Sequence, residues 1–151
     1  MGEEIELKLK ETMNNYKGTL TLLIRKNGKV IEEIKEHNLI VDSGKVRLAQ
    51  LLAGQSTAAI KYVGIGSGED QALATDTQLK DQQLIPITAT SIVGTTAHFD
   101  FFIGTGVADG AIIHEFGLFC ADETMFSHRV RTGKIEKEAD MEIKGYWEIE
   151  I

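Results

Sequence analysis

The chain has 151 residues, 42% of them hydrophobic, which fits one domain with a real core and no second domain. Sixteen Lys and Arg against 23 Asp and Glu give a net charge of -7, which repels a polyphosphate backbone and argues against nucleic acid as a partner. A lone Cys120 excludes an intrachain disulfide, the start MGEEIELKLKE is too charged for a signal peptide, and no apolar run nears the length of a membrane span; a soluble protein made in the cytoplasm is expected, with no membrane partner.

Period-two alternation dominates the chain from its start. Residues 1–15 read as an N-terminal arm or edge strand, set apart from a single β domain over 16–151. Ile5, Leu7 and Leu9 alternate with Glu4, Glu6, Lys8 and Lys10. They form either a strand that pairs with a neighbouring subunit's edge, and so a subunit-binding segment, or an ordinary edge strand of the same domain. Next, GTLTLLIRK alternates Leu20, Leu22 and Ile24 against Thr19, Thr21 and Arg25. Asn27-Gly28 supplies the two positive-φ residues of a type I′ turn, so the strand from Lys29 folds back on it. VDSGKVRLAQLLAG breaks the pattern: Val46, Ala49, Leu52, Leu48 and Leu51 fall at helical spacing, which predicts one short helix over about 43–53, capped by Asp42 or Ser43 and ended by Gly54.

IKYVGI reads as a strand running into GIGSGED. Its G-x-G-x-G spacing matches no phosphate-binding fingerprint, Glu69 and Asp70 stand where the anion would sit, and no Lys follows until Lys80. The glycines are expected to form a turn, with Gly64 and Gly66 admitting another backbone or a bulky aromatic at close range. A further turn of helix is expected from Thr75 or Asp76. LIPITATSIV reads as strand, with Pro86 marking an edge or a bulge. TAHFDFFIG places Ala97, Phe99, Phe101 and Ile103 on one face. AIIHEFGLFCA is apolar on both faces, as a central buried strand would be, and MFSHRVR is a further strand. In MEIKGYWEIEI, Met141, Ile143, Gly145, Trp147, Ile149 and Ile151 face one way and Glu142, Lys144, Tyr146, Glu148 and Glu150 the other. Seven or eight strands and one helix predict a mainly β protein, an antiparallel β-sandwich or jelly roll.

Residues that carry chemistry lack the companions chemistry requires. Of His37, His98, His114 and His128, none has a partner at diagnostic spacing. His114-Glu115 begins like H-E-x-x-H, but Leu118 occupies the second His position and the run reads as strand. Cys120, expected on the same face as His114, makes only a second ligand, so structural or solvent-facing histidines and no metal are expected. Ser67 misses the G-x-S-x-G register. The acid pairs Glu32-Glu33, Asp122-Glu123 and Asp140-Glu142 lie in charged, wet segments. Phe99, Phe101, Phe102, Phe116, Phe119, Phe126 and Trp147 sit at strand spacing, which favours a core between two sheets over a ligand cavity. No catalytic residue and no cofactor are expected.

Four stretches together, NLIVDSGKVRLAQLLAG, IKYVGIGSGEDQALATDTQL, IIHEFGLF and the terminal YWEIEI, resemble small structural proteins of tailed bacteriophage virions, which serve in capsid-decorating, tail-fibre or baseplate roles. The likeness spans about residues 37 to 151. It rests on Asn38 to Val41, Gly64 to Gly68, Thr75 to Leu79, Glu115 to Phe119 and Trp147. It implies a non-enzymatic subunit of a virion, made in the host cytoplasm, homo-oligomeric and bound to other virion proteins. Those partners are the major capsid protein or tail or baseplate subunits. A single domain of this length without repeats favours a capsid-decorating, or cement, protein over a fibre. The alternatives are a tail, tail-fibre or baseplate adaptor and, from another class, a carbohydrate-binding or hydrolytic jelly roll.

Overall fold

Leu20, Leu22 and Ile24 point one way from their strand because side chains alternate along extended backbone, and all three are almost wholly withdrawn from water. The same rule builds most of the molecule. A computed structural model describes residues 17–151, and the strand assigned to Ile5, Leu7 and Leu9 lies outside these described residues. The elements are β1 (Lys17–Lys26), β2 (Lys29–Ile40), α1 (Asp42–Leu52), β3 (Ile60–Gly66), β4 (Gln83–Pro86), β5 (Ala89–Val93), β6 (Thr96–Ile103), β7 (Ile112–Cys120), β8 (Met125–Glu136) and β9 (Met141–Glu150).

Nine strands, against the seven or eight expected, form one curled sheet in the order β4-β3-β7-β8-β2-β1-β9-β6-β5. Every pairing is antiparallel. The sheet folds over on itself as a sandwich at two places. β2 pairs with β1 along most of its length but with β8 only through Leu39 and Ile40. On the other side the chain changes layers between Ile87, whose N–H donates to Lys61 in line with β3, and Thr88, whose N–H donates to Asp100 of β6. The one proline, Pro86, sits on edge strand β4, where a missing donor costs no ladder bond.

The two inner faces make the core. Leu20, Leu22, Ile24, Phe99, Phe101, Ile103, Ile143 and Trp147 from one layer meet Val63, Ile65, Phe116, Leu118, Phe126 and Ile135 from the other. Each such side chain contributes about 1.5–3 kcal/mol on burial. β7 is buried along nearly its whole length, as its two apolar faces require. At the hairpin between β1 and β2, Asn27 and Gly28 have φ of 50° and 78°, the type I′ signature. In β9 the inward set is buried from Met141 to Ile149 but Ile151 is exposed, because it lies past the end of the strand.

Two expectations need correction. α1 spans Asp42–Leu52 and Gly54 ends it with φ of 70°, but Val41 is the N-cap and no side chain caps the start. Ser43 Oγ donates instead to the Met125 carbonyl at 2.6 Å. Of the apolar set only Leu48 packs against the core; the buried helix positions are Gly44 and Arg47, while Val46 and Leu52 are exposed. Gly44 lies directly against the Phe126 carbonyl, and Arg47 bonds Ser56, the Ala58 carbonyl, Thr124 and Asp122. The helix docks by a backbone contact, an arginine fork and the half-buried Leu48. The second correction is the helical turn expected from Thr75 or Asp76. Residues 67–82 form no helix. Asp76 turns its carboxylate to hydrogen-bond donors outside any helix.

Candidate functional site

The outer face of the β3/β7/β8 layer carries a second apolar cluster, Val41, Leu79, Phe119 and Met125. It exists because three glycines flatten the sheet there. A Cβ on Gly64 would meet the Phe119 ring at 2.5 Å, one on Gly66 would meet the Leu79 Cβ at 2.7 Å and the Lys80 carbonyl at 2.8 Å, and one on Gly117 would meet Phe119 at 2.6 Å. The expected close approach of an aromatic and of a second backbone is therefore present. What approaches is the loop 67–82, which lies on the sheet with Leu79 as its apolar plug.

A polar cluster beside the plug holds this loop. Glu115 and His128, on paired strands β7 and β8, are 3% and 5% exposed. His128 Nε2 lies 2.7 Å from Glu115 Oε1, and its Nδ1 lies 2.8 Å from Asp76 Oδ2. The other Glu115 oxygen accepts from the backbone N–H groups of Gly68, at 2.5 Å, and Lys80, at 3.0 Å. Asp76 also accepts from the Leu73 N–H at 2.7 Å. The amides near the G-x-G-x-G turn do cradle an anion, and the anion is the chain's own Glu115.

Two carboxylates flank one imidazole, which fixes the charges. Burial favours neutral His128, but its hydrogen bonds to Glu115 and Asp76, with their charges, outweigh burial and raise its pKa above 6.5. Burial likewise favours neutral Glu115. The hydrogen bonds from His128, Lys80 and Gly68 overcome it and hold the carboxyl below 4.5. In the protonated form that the two carboxylates favour, the ring donates from both nitrogens. Neither nitrogen is left to act as a base, and no serine, cysteine or lysine side chain bonds to the ring. The arrangement clamps a loop.

The remaining sequence candidates scatter. His37 is exposed. His98 stacks on Tyr146 with ring centroids 4.6 Å apart and meets Asp100 at 3.0 Å. His114 reaches Glu69 at 3.2 Å, while Cys120 lies in the core. The two do not share a face as expected, because the pairing of β7 with β8 shifts between Ile113 and Glu115. Burial pushes the Cys120 thiol up to about 11. The basic run 128–134 is largely neutralised: Arg129 meets Glu36 at 2.8 Å and Arg131 meets Glu32 at 3.3 Å. Of the acid pairs, Asp122 binds Arg47, which holds its carboxyl below the usual range. Ser67 donates to Asp81 at 2.6 Å. Among the described residues no group of three or more His, Cys, Asp or Glu is arranged to hold a metal, and no helix is long and apolar enough to cross a membrane.

Sequence reasoning missed Asp76, Glu115 and His128 as a unit. Three of the four stretches that carry the phage resemblance contribute here, through Val41, Gly64, Gly66, Gly68, Asp76, Leu79, Glu115, Gly117 and Phe119, while Trp147 of the fourth lies in the core between the layers. No family model matches the chain, and no curated protein or solved structure matches it either.

Proposed function

We propose that this protein is a non-enzymatic structural subunit of a tailed-bacteriophage virion, acting as a capsid-decorating or cement protein that binds the major capsid protein. The observation that carries the reading is the spending of the buried Asp76-His128-Glu115 cluster on fixing a surface loop, with every ring nitrogen and both Glu115 oxygens bound internally. A group built to transform a ligand keeps a lone pair or an acidic proton aimed at open space. Here the chemistry-bearing residues make one β-sandwich rigid, which suits a subunit whose work is to present fixed surfaces to neighbours. Several residues of the resemblance, among them Gly64, Gly66, Leu79 and Glu115, serve as seat, plug and clamp, which is compatible with a structural role.

The test is mass spectrometry of gradient-purified particles from a host producing the phage that encodes this chain. The reading predicts the protein in the particle fraction at a copy number comparable to that of the major capsid protein. A few copies per particle indicate a tail, tail-fibre or baseplate adaptor instead. Recovery only in the soluble lysate, with glycan binding or glycan cleavage by the pure protein, indicates the carbohydrate-active alternative.

A further inference from the structure

Sheet edges offer unpaired backbone groups, and this protein guards all but one of those described. β4 carries Pro86. The part of β2 that leaves β8 carries Lys29, Glu32, Glu33, Lys35 and Glu36, and the facing part of β8 carries Arg129, Arg131, Lys134 and Glu136. Proline and charge are the usual protections against strand addition. β5, the other end of the sheet, is ATSIV, with neither, and no charged residue stands between Gln82 and Ala97. All five β5 residues are exposed, with Ile92 at 78% and Val93 at 76%.

Ile92 belongs to the core face of its layer. It pairs with Ala97, and Ala97 pairs with Ile149, which is buried. Thr90 pairs with Phe99, and Phe99 with Trp147. The apolar rows of the sandwich therefore run out to β5 and stop uncovered. The occupant that fits is a strand with apolar residues at alternate positions and charged ones between, and the chain holds such a segment outside the described residues: Ile5, Leu7 and Leu9 alternating with Glu4, Glu6, Lys8 and Lys10.

We propose that residues 4–10 of one copy add antiparallel to β5 of a second copy, Leu7 opposite Ile92 and Leu9 opposite Thr90, and that this exchange joins protomers. Geometry favours a second copy over the same one. Lys17 lies at the Val93 end of the sheet, since Lys17 pairs with Glu150, Glu150 with Thr96 and Thr96 with Val93. A segment antiparallel to its own β5 would finish at the Ala89 end. The return to Lys17 would cross four strand spacings and the length of β5, about 23 Å, with seven residue steps that reach about 24 Å at most. The connection would have to be fully stretched across the sheet face. A donor from a second copy has no such constraint, and reciprocal exchange buries more than two short β5 edges meeting each other. The proposal concerns self-association and does not depend on the virion reading.

The test uses the full chain. Sedimentation equilibrium at tens of micromolar should give an oligomer, and both deletion of residues 2–11 and the double substitution Ile92→Asp with Val93→Asp should give monomers. Native Trp147 emission should be retained in both, since on this proposal residues 2–11 pack on another copy, and Ile92 and Val93 are exposed. Chains carrying Leu7→Cys mixed with chains carrying Ile92→Cys should form disulfide-linked dimers on a non-reducing gel. A monomeric full chain overturns the proposal. So does an oligomer that survives both changes, or a Leu7→Cys/Ile92→Cys double variant that closes its disulfide within one chain.

Discussion

Replacing Glu115 separates a loop clamp from an incidental ion pair. In Glu115→Ala the N–H groups of Gly68 and Lys80 lose their acceptor, and a buried imidazolium loses the nearer of its two carboxylates. Removing one partner of a buried pair costs about 3–5 kcal/mol, part of it the desolvation left unmatched on the orphaned donors. At about 3 °C per kcal/mol for a domain of this size, the melting temperature should fall by roughly 10 °C. Glu115→Gln should be much milder, about 1–2 kcal/mol. Its carbonyl oxygen can accept from both amides while its NH2 donates to a neutral His128 that still donates to Asp76. The pH profile follows from the signs of the shifts. His128 titrates above 6.5 in the folded protein, so its contribution is complete below 6.5 and fades as pH rises through the folded value. Glu115 titrates below 4.5, so its contribution is complete above 4.5 and fades as pH falls through the folded value. For this cluster, stability against urea is greatest between those two values, and Glu115→Gln flattens the alkaline fall. A wild-type profile with no alkaline fall, or a Glu115→Ala loss under about 1 kcal/mol, would refute the clamp.

Three further outcomes follow from the packing. Gly66→Ala should cost about 1–3 kcal/mol, because the new methyl meets Leu79 and the Lys80 carbonyl, whereas Gly133→Ala, with nothing within 4 Å, should be near neutral; equal effects in urea titrations would contradict the glycine seat. Trp147, fully buried, should emit at short wavelength in the native state and shift red on unfolding, and native emission like that of free indole in water would contradict its inward phase. The Cys120 thiol, held near 11 and buried, should resist a disulfide reagent at pH 8 until the protein is denatured, which a thiol titration with and without denaturant reads directly.

Alternation made the strands legible because burial on one face imposes a period of two, and Leu20, Phe101 and Trp147 follow it. The glycine seat was legible for a related reason: glycines inside a strand imply something close above them. The clamp was not, because positions 76, 115 and 128 meet only after β7 and β8 pair and the loop lies down. One signal was available. Glu115 interrupts a run that is apolar on both faces, and a carboxylate in such a strand demands a partner. Helical spacing located α1 but not its contact face, since Gly44 and Arg47 are its buried positions and Val46 and Leu52 remain in water. The shift in pairing after Ile113 had no sequence signature and separated His114 from Cys120.

The most direct measurement of the proposed virion role is a cryo-electron reconstruction of any particles produced from the genome that encodes this chain, at a resolution that traces strands. The account predicts the nine-stranded curled sheet, with loop 67–82 seated on its outer face, repeated with capsid symmetry over the major capsid protein. Density for this domain confined to the tail or baseplate would contradict the decorating role, and its absence from the whole particle would contradict the virion reading itself.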